Sequence, residues 1–199
     1  KPTVLLKARK HGLNIPNTLI TNSLSDLKSF FECNNKKIIC KALHEGIFNF
    51  PKKNPNFGFA EATNLIEDIS FVPKKFATSL FQEYIEKDYE LRIVFLNNNL
   101  YSMCIFSQNN PKTMIDFRNY DEKRPNRMIP YLLDDTEAQK IRSLMDDIGL
   151  NMGSIDLIKA RNGKYYFLEI NPVGQYDFVS YHCNYHIHHE IAEFLTNEK

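Results

Sequence analysis

Three side chains that could share a metal ion lie in two short apolar stretches near the C-terminal end. Asp156 lies in "SIDLIKA" (Ser154–Ala160), and Glu169 and Asn171 lie in "YYFLEINPVGQY" (Tyr165–Tyr176). Neighbouring carboxylates on a buried strand repel each other unless a cation or a proton lies between them. Oxygen ligands favour Mg²⁺ over Zn²⁺, and bound Mg²⁺ usually completes its shell with water and substrate phosphates. These residues therefore suggest a metal–nucleotide site; the alternative is that both carboxylates lie on a solvated face.

The residues between the two stretches predict a hairpin that places the three side chains together. Asn162-Gly163 is a strong signal for a type I′ turn, which needs positive φ at both central positions. Because side chains alternate along a strand, this turn puts Asp156, Glu169 and Asn171 on one face. Counting outward from the turn predicts the facing pairs Arg161–Lys164, Ile158–Phe167, Asp156–Glu169 and Ser154–Asn171.

Two basic residues are candidates for binding phosphate. Lys41 ends the apolar strand "KKIICKA" and precedes a loop that contains Gly46, so it could bind phosphate as a point charge or be a surface lysine. Arg118 in "IDFR" could clamp a phosphate or form a structural ion pair with Asp116. Neither alternative is decided by these residues alone.

Histidines near the C-terminus offer a weaker metal hypothesis. His182 and His186 have a spacing compatible with zinc ligands, but no acid or cysteine pattern completes a site. We therefore expect these two residues, with His188 and His189, to occupy solvated helix positions.

The composition is that of an ordinary water-soluble protein in a reducing compartment. The chain has 199 residues, with 25 Lys plus Arg and 24 Asp plus Glu, so no bulk charge indicates nucleic acid or a membrane as a partner. Four scattered cysteines without metal spacing, and the lack of a signal peptide, predict a cytoplasmic location. Because the sequence begins with Lys in mid-pattern, we expect it to be part of a longer protein.

The hydrophobic pattern predicts an α+β fold with antiparallel sheets. Hairpins alternate irregularly with helices along the chain. Predicted features include a leading helix ended by Gly12, a helix opened by Ser23 and Asp26, and a hairpin turn at residues 97–99. A later helix is predicted to start at Asp135 or Thr136 and end at Gly149, and a final helix over Asn184–Asn197 to be N-capped by Asn184.

Four segments, taken in order, resemble the ATP-grasp fold: "KALHEG", "FQEYIEKDYELRIVFL", "GSIDLI" and "FLEINPVGQY". The opening and the ending are most similar to ATP-grasp peptide maturases that make graspetides, particularly the grasp-with-spasm group. The resemblance implies two α+β subdomains that grip ATP: a small lid subdomain with the leading helix over residues 1–86, and a C-terminal subdomain with the metal site over residues 87–199. It also implies a further N-terminal domain ahead of residue 1.

The resemblance also assigns roles to individual residues. It implies Lys1 and Lys41 on the phosphates, Gln82 to Ile85 as the adenine hinge through backbone groups of Glu83 and Ile85, Glu90 on the ribose, Arg118 on the γ-phosphate and acyl phosphate, and Asp156, Glu169 and Asn171 on Mg²⁺. Arg118 and Lys41 are then the candidate catalytic residues. The loop after Lys41 is poorer in glycine than the phosphate loops of many ATP-grasp proteins.

The resemblance implies an ATP-dependent carboxylate ligase with ATP and Mg²⁺ as cofactors. Its partner would be a ribosomally made precursor peptide with leader and core, whose Asp or Glu side chains become acyl phosphates. Thr, Ser or Lys side chains of the same peptide would then close macrocyclic esters or amides. Self-association into a homodimer is left open. The alternatives are a ligase acting on free amino acids or a protein C-terminus, and a non-catalytic domain that binds peptide.

Overall fold

The computed structural model describes residues 2–41, 43 and 63–197. The chain divides into two compact units: a smaller unit, Pro16–Ile85, and a larger unit that combines Lys1–Ile15 with Glu86–Lys199. Lys1 and almost all of the predicted loop at residues 43–60 lie outside the described residues.

The leading helix, α1 (Pro2–Lys10), belongs to the larger unit. This placement corrects the expectation that the leading helix belongs to the smaller subdomain, over residues 1–86. The reason is burial: Leu5 and Ala8 of α1 pack in the core of the larger unit. The smaller unit ends at Ile85, next to the expected boundary after residue 86. Gly12 follows the helix with φ of 79°, in the left-handed conformation expected of a C-cap glycine.

The smaller unit is an antiparallel four-stranded sheet with one helix. Its strands are β1 (Thr18–Ser23), β2 (Ile38–Lys41), β3 (Thr63–Ile66) and β4 (Lys75–Glu83), in the spatial order β1-β4-β2-β3. Helix α2 (Leu24–Cys33) buries Leu27 and Phe31 against Phe81 and other apolar residues of the sheet. The predicted cap is confirmed, because the Ser23 side chain accepts a hydrogen bond from the Asp26 N–H.

The larger unit contains an antiparallel five-stranded sheet in the order β7-β6-β5-β8-β9. The strands are β5 (Lys87–Leu96), β6 (Asn99–Ile105), β7 (Met128–Tyr131), β8 (Met152–Ala160) and β9 (Tyr165–Asn171). The predicted turn between β5 and β6 is confirmed, with Asn97 and Asn98 at φ of 44° and 67°. Strand β5 is central and contacts both β6 and β8.

Helices cover both faces of the larger sheet. One face buries Ile93, Phe95 and Ile155 with α1 and with α3 (Asp135–Ile148), whose inward side includes Ile141. The other face buries Val94 with Val179 of helix α4 (Asp177–Cys183), and helix α5 (Ile187–Asn197) follows. Among the described residues no helix combines the length and the apolar character needed to cross a bilayer.

Helix α3 begins at Asp135, as predicted, whereas the final helix begins differently from the prediction. Helix α3 is capped by Asp134, whose carboxylate accepts from the Glu137 N–H at 2.9 Å, and it ends at Gly149 as predicted. The prediction that Asn184 opens the final helix is wrong. Asn184 has φ of 53° and ends α4, because asparagine tolerates the left-handed conformation of a C-cap.

Candidate active site

The three proposed metal ligands lie together on the hairpin of β8 and β9. Asp156 faces Glu169, and Ser154 faces Asn171, so these two predicted pairings are confirmed. Residues 169 and 171 alternate with Ile170, and Ile155 packs in the core on the opposite face. Two carboxylates and one amide therefore project from the same face of the sheet.

The turn that joins β8 and β9 differs from the predicted type I′ turn. Ala160 N–H donates to the Lys164 carbonyl at 2.9 Å, and Gly163 N–H donates to the Ala160 carbonyl at 2.9 Å. Gly163 has φ of 78°, whereas Asn162 does not adopt a positive φ. The loop therefore has three residues, a length that typically combines a type I turn with a left-handed residue.

A β-bulge restores the predicted register beyond the turn. Leu157 faces Phe167, so the predicted pairs Ile158–Phe167 and Arg161–Lys164 are wrong. The register then shifts between Asp156 and Leu157, where Leu168 is the extra residue on β9. The longer loop and the bulge displace the register by one residue in opposite directions, so the outer pairs agree with the prediction.

Arg92 is a site residue that the sequence reasoning missed. It faces Asp156 across β5 and β8, and its Nε lies 3.1 Å from Asp156 Oδ1. The guanidinium carbon also lies 5.7 Å and 5.6 Å from the ring centroids of Phe117 and Phe178. The alternation of Glu90 and Arg92 along β5 places both on one face, but pairing with β8 could not be read from the spacing.

Asp156 is a buried carboxyl group whose surroundings disfavour its ionised form. The pKa of Asp156 is raised to about 6, mainly by burial and also by the negative charges of Glu169 and Glu90, against the lowering effect of Arg92. A raised carboxyl pKa means that the ionised form is disfavoured unless positive charge approaches. The donor set of Asp156, Glu169 and Asn171 fits a hard divalent cation.

Arg118 lies beside this group and is held by Asp116. Its Nε and Nη2 donate to the Asp116 carboxylate at 2.8 Å and 2.6 Å, so the ion pair considered from the sequence is present. The hydrogen bonds from Arg118 to Asp116 are the main cause of a raised Arg118 pKa, and the charges of Glu169 and Asp156 add to it. The guanidinium therefore lies within the electrostatic field of the proposed metal ligands while Asp116 orients it.

Glu90, the predicted ribose ligand, is the centre of a buried polar network. Its Oε1 accepts from Lys87 Nζ at 2.8 Å and from Ser107 Oγ at 2.7 Å. The Lys87 and Glu90 side chains are 4% and 10% exposed. Glu90 lies on the same face of β5 as Arg92, and its charge contributes to the raised Asp156 pKa.

A tight turn follows Asn171 and depends on a glycine. The Gly174 N–H donates to the Asn171 carbonyl at 3.1 Å, and the Val173 N–H donates to Asn171 Oδ1 at 3.1 Å. A Cβ at position 174 would lie 2.4 Å from the Cβ of Ser154 and 2.9 Å from the Asn171 carbonyl oxygen. The turn can therefore close over Ser154 only with glycine at this position.

The remaining predicted residues that the structure describes belong to the smaller unit. Lys41 ends β2 opposite Leu80 of β4. Gln82 is buried, and its amide donates to Thr18 Oγ1 at 3.0 Å. The Glu83 N–H donates to the Asn17 carbonyl at 3.0 Å, so this donor is engaged within the sheet. Ile85 is the last residue of the unit, and Lys1 lies outside the described residues.

The histidines behave as expected for solvated positions. His182 and His186 are exposed, and the break at Asn184 separates them, because His182 lies in α4 and His186 precedes α5. Within the described part of the chain, a different group on α5 has metal-ligating atoms close together: His189, Glu190 and Glu193. His189 Nδ1 lies 3.6 Å from Glu193 Oε1, which an ordinary surface pair explains.

Comparison with known proteins identifies structural relatives. No family model and no curated protein matches the chain. The macrocyclase MdnC from Microcystis aeruginosa MRC, solved with the precursor peptide MdnA, superposes with a TM-score of 0.78 at 31% identity, covering 100% of this chain and 61% of MdnC. A RiPP-associated ATP-grasp ligase of Chryseobacterium gregarium, in complex with ADP and a leader and core peptide, superposes with a TM-score of 0.83 at 25% identity. This match covers 100% of this chain and 62% of the ligase. The macrocyclase MdnB from Microcystis aeruginosa MRC superposes with a TM-score of 0.74 at 26% identity, covering 99% of this chain and 59% of MdnB.

The chain has the ATP-grasp fold and is similar to ligases of that class. Within that class it is similar to the RiPP ATP-grasp ligases, so the predicted resemblance to graspetide ligases is confirmed. The chain spans about three fifths of the length of the first two relatives, 61% and 62%.

Proposed function

We propose that the protein is an ATP-dependent ligase that forms macrocyclic links within a ribosomally made precursor peptide. A carboxylate oxygen of a peptide Asp or Glu attacks the γ-phosphorus of ATP, and ADP leaves. A hydroxyl of Thr or Ser, or an amine of Lys, from the same peptide then attacks the acyl carbon, and phosphate leaves with the former carboxylate oxygen. The peptide loses one water for each ATP consumed.

The observation that carries this proposal is the shared face of Asp156, Glu169 and Asn171 beside Arg118. Phosphoryl transfer needs mainly positioning and neutralisation of negative charge. Bound Mg²⁺ would supply charge neutralisation at the phosphates, and these three side chains would hold it. Arg118, oriented by Asp116, would stabilise negative charge on the transferred phosphoryl group.

The family resemblance assigns nucleotide recognition to several further residues. In the larger unit, Glu90 would accept hydrogen bonds from the ribose, with its Oε1 already held by Lys87 and Ser107. In the smaller unit, Lys41 would contact phosphate, and the Glu83 carbonyl with the backbone groups of Ile85 would contact adenine. Gln82 would position this segment through its hydrogen bond to Thr18. Lys1 remains a proposed phosphate contact from the family resemblance.

The proposed partner is a precursor peptide with leader and core segments. MdnC was solved with a precursor peptide and the Chryseobacterium ligase with a leader and core peptide, and both resemble this chain over its whole length. The grasp-with-spasm assignment is part of the proposal and rests on the opening and closing segments of the sequence.

The test is a cyclisation assay with the peptide encoded beside the gene for this protein. Peptide, ATP and Mg²⁺ should give a product about 18 Da lighter per ring, with one ADP released for each ring. Glu169→Gln should give no product, and the exposed control Glu122→Gln should behave as wild type. Water loss without ATP, or two peptides joined without a ring, would contradict the proposal. Turnover with free amino acids alone would favour the other type of ligase.

A further inference from the structure

Lys87 is a buried lysine to which the proposed reaction assigns no role. Its side chain is 4% exposed, and its Nζ donates to Glu90 Oε1 at 2.8 Å and to the Ile115 carbonyl at 3.0 Å. A lysine is rarely buried to this extent without a partner, because its charge must leave water. The two contacts of Lys87 reach two different parts of the candidate site.

A β-bulge brings Lys87 to that face of the sheet. The pairing of β5 with β8 passes from Lys87–Ala160 to Tyr89–Lys159, so Asp88 is an extra residue. Residues three apart in a regular strand point to opposite faces. The bulge changes this alternation, and it lets Lys87 reach Glu90 on the face that also carries Arg92.

The first contact fixes the Glu90 carboxylate. Ser107 Oγ donates to the same oxygen, Oε1, at 2.7 Å, and Ser107 is fully buried. Thr113 Oγ1 in turn donates to the Ser107 carbonyl at 2.9 Å. Because two donors hold one oxygen, the direction of the second oxygen, Oε2, is also set. Oε2 is therefore the oxygen that we expect to meet the ribose.

The second contact fixes the segment that carries Arg118. The Ile115 carbonyl immediately precedes Asp116, and the Asp116 carboxylate accepts from the Arg118 backbone N–H at 3.1 Å as well as from its guanidinium. Lys87 therefore links strand β5 to the backbone from which Arg118 projects. Losing this contact would release the Ile115–Arg118 segment at its start.

We propose that Lys87 is a positioning residue that acts through two groups at once, Glu90 for the nucleotide and Arg118 for the transferred phosphoryl group. This inference rests on the function proposed above. Ser107 shares only the first of these tasks, so the two residues can be separated by experiment. Loss of Lys87 should affect both nucleotide binding and turnover, whereas loss of the Ser107 hydroxyl should affect nucleotide binding alone.

The experiment compares Lys87→Met, Lys87→Arg and Ser107→Ala with the exposed control Lys164→Met in the full chain. Calorimetry with Mg·ADP gives Kd, and the cyclisation assay gives KM for ATP and kcat. Lys87→Met should raise Kd and KM about tenfold and lower kcat about tenfold, the loss expected for a charged hydrogen bond. Ser107→Ala should raise Kd and KM a few-fold at unchanged kcat, and Lys87→Arg should recover part of both losses. Lys164→Met should match wild type.

A folded Lys87→Met protein with Kd, KM and kcat within about twofold of wild type would overturn the inference. Should Lys87→Met not fold, Lys87→Arg and Ser107→Ala decide, and wild-type constants in both would overturn it equally. If the wild-type chain does not bind Mg·ADP, or if Glu169→Gln binds it equally well, the proposed function itself fails. If the wild-type chain binds normally and the Lys87 variants do too, only the role of Lys87 fails.

Discussion

Glu169 and Asn171 are the residues on which the proposed chemistry depends most directly. We expect Glu169→Gln and Asn171→Ala each to lower kcat by at least about a hundredfold, because the Mg²⁺ that they would hold stabilises charge that develops in the transition state. Glu169 is partly exposed at the edge strand of its sheet, so the fold should persist. Steady-state kinetics with circular dichroism checks this, and an active Glu169→Gln enzyme would remove the metal site.

Glu90 should affect a different kinetic constant from Glu169. A ribose ligand contributes to nucleotide binding, so Glu90→Gln should chiefly raise KM for ATP, whereas Glu169→Gln should chiefly lower kcat. Glutamine is the suitable replacement, because its amide oxygen can still accept a hydrogen bond from the buried Lys87, whereas alanine would remove this acceptor. Equal losses of kcat in the two variants would contradict this division of roles.

The pKa of Asp156 predicts a pH dependence of metal binding. This pKa is raised to about 6, mainly by burial, so the carboxyl group becomes protonated as the pH falls through about 6. The proton then competes with the metal for the carboxylate. Mg²⁺ affinity should therefore fall below pH 6 and level off above pH 7. Calorimetry at pH 6 in two buffers of different ionisation enthalpy should detect proton release on binding. Release of no proton would contradict the assignment of Asp156 as a ligand.

At the scale of single elements, the hairpin shows what the sequence could predict. The Asn162-Gly163 signal correctly predicts a turn and the facing pair Asp156–Glu169. The turn type and the bulge at Leu168 were not predictable, because both depend on how β9 packs against the rest of the sheet. The same limit applies to Asn184, since a polar cap residue is compatible with either end of a helix and only packing of the two helices decides.

The turn after Asn171 gives a prediction for the same hairpin. Gly174→Ala should destabilise the protein by about 1–3 kcal/mol and weaken Mg²⁺ binding, because its Cβ would collide with Ser154 and with the Asn171 carbonyl. The matched control is Gly163→Ala, which has open space around it but a positive φ. That variant should cost about 1–2 kcal/mol and leave Mg²⁺ affinity unchanged. Denaturant unfolding and calorimetry separate the two effects.

At the scale of the whole molecule, the fold was more predictable than the contacts within the site. The α+β class and the antiparallel sheets followed from hairpin signals, and the ATP-grasp likeness followed from four sequence segments and their order along the chain. The placement of α1 in the larger unit did not follow, because Leu5 and Ala8 join a core most of whose residues lie far away in sequence. The Arg92–Asp156 pair was missed for the same reason, since it links two residues that lie far apart in the sequence.

Ligand binding should be visible in the stability of the whole chain. Mg·ADP at a hundred times its Kd should stabilise the native state by about 2.7 kcal/mol, which raises Tm. The shift should disappear in Glu169→Gln and persist in Glu122→Gln. Differential scanning fluorimetry with ADP, Mg²⁺ and both together measures it. An equal shift with ADP in the presence of EDTA would show that nucleotide binding does not need the metal ligands.

The bulge at Leu168 has a consequence for how the length of this hairpin can change during evolution. Without Leu168, Phe167 and Glu169 would be neighbours, and strict alternation would still place Phe167 opposite Leu157 and Glu169 opposite Asp156. A lineage could therefore lose this residue and retain its ligands in place. Loss of Ile170 would instead turn Glu169 and Asn171 to opposite faces. We expect homologues to tolerate a one-residue gap at position 168 and not at position 170.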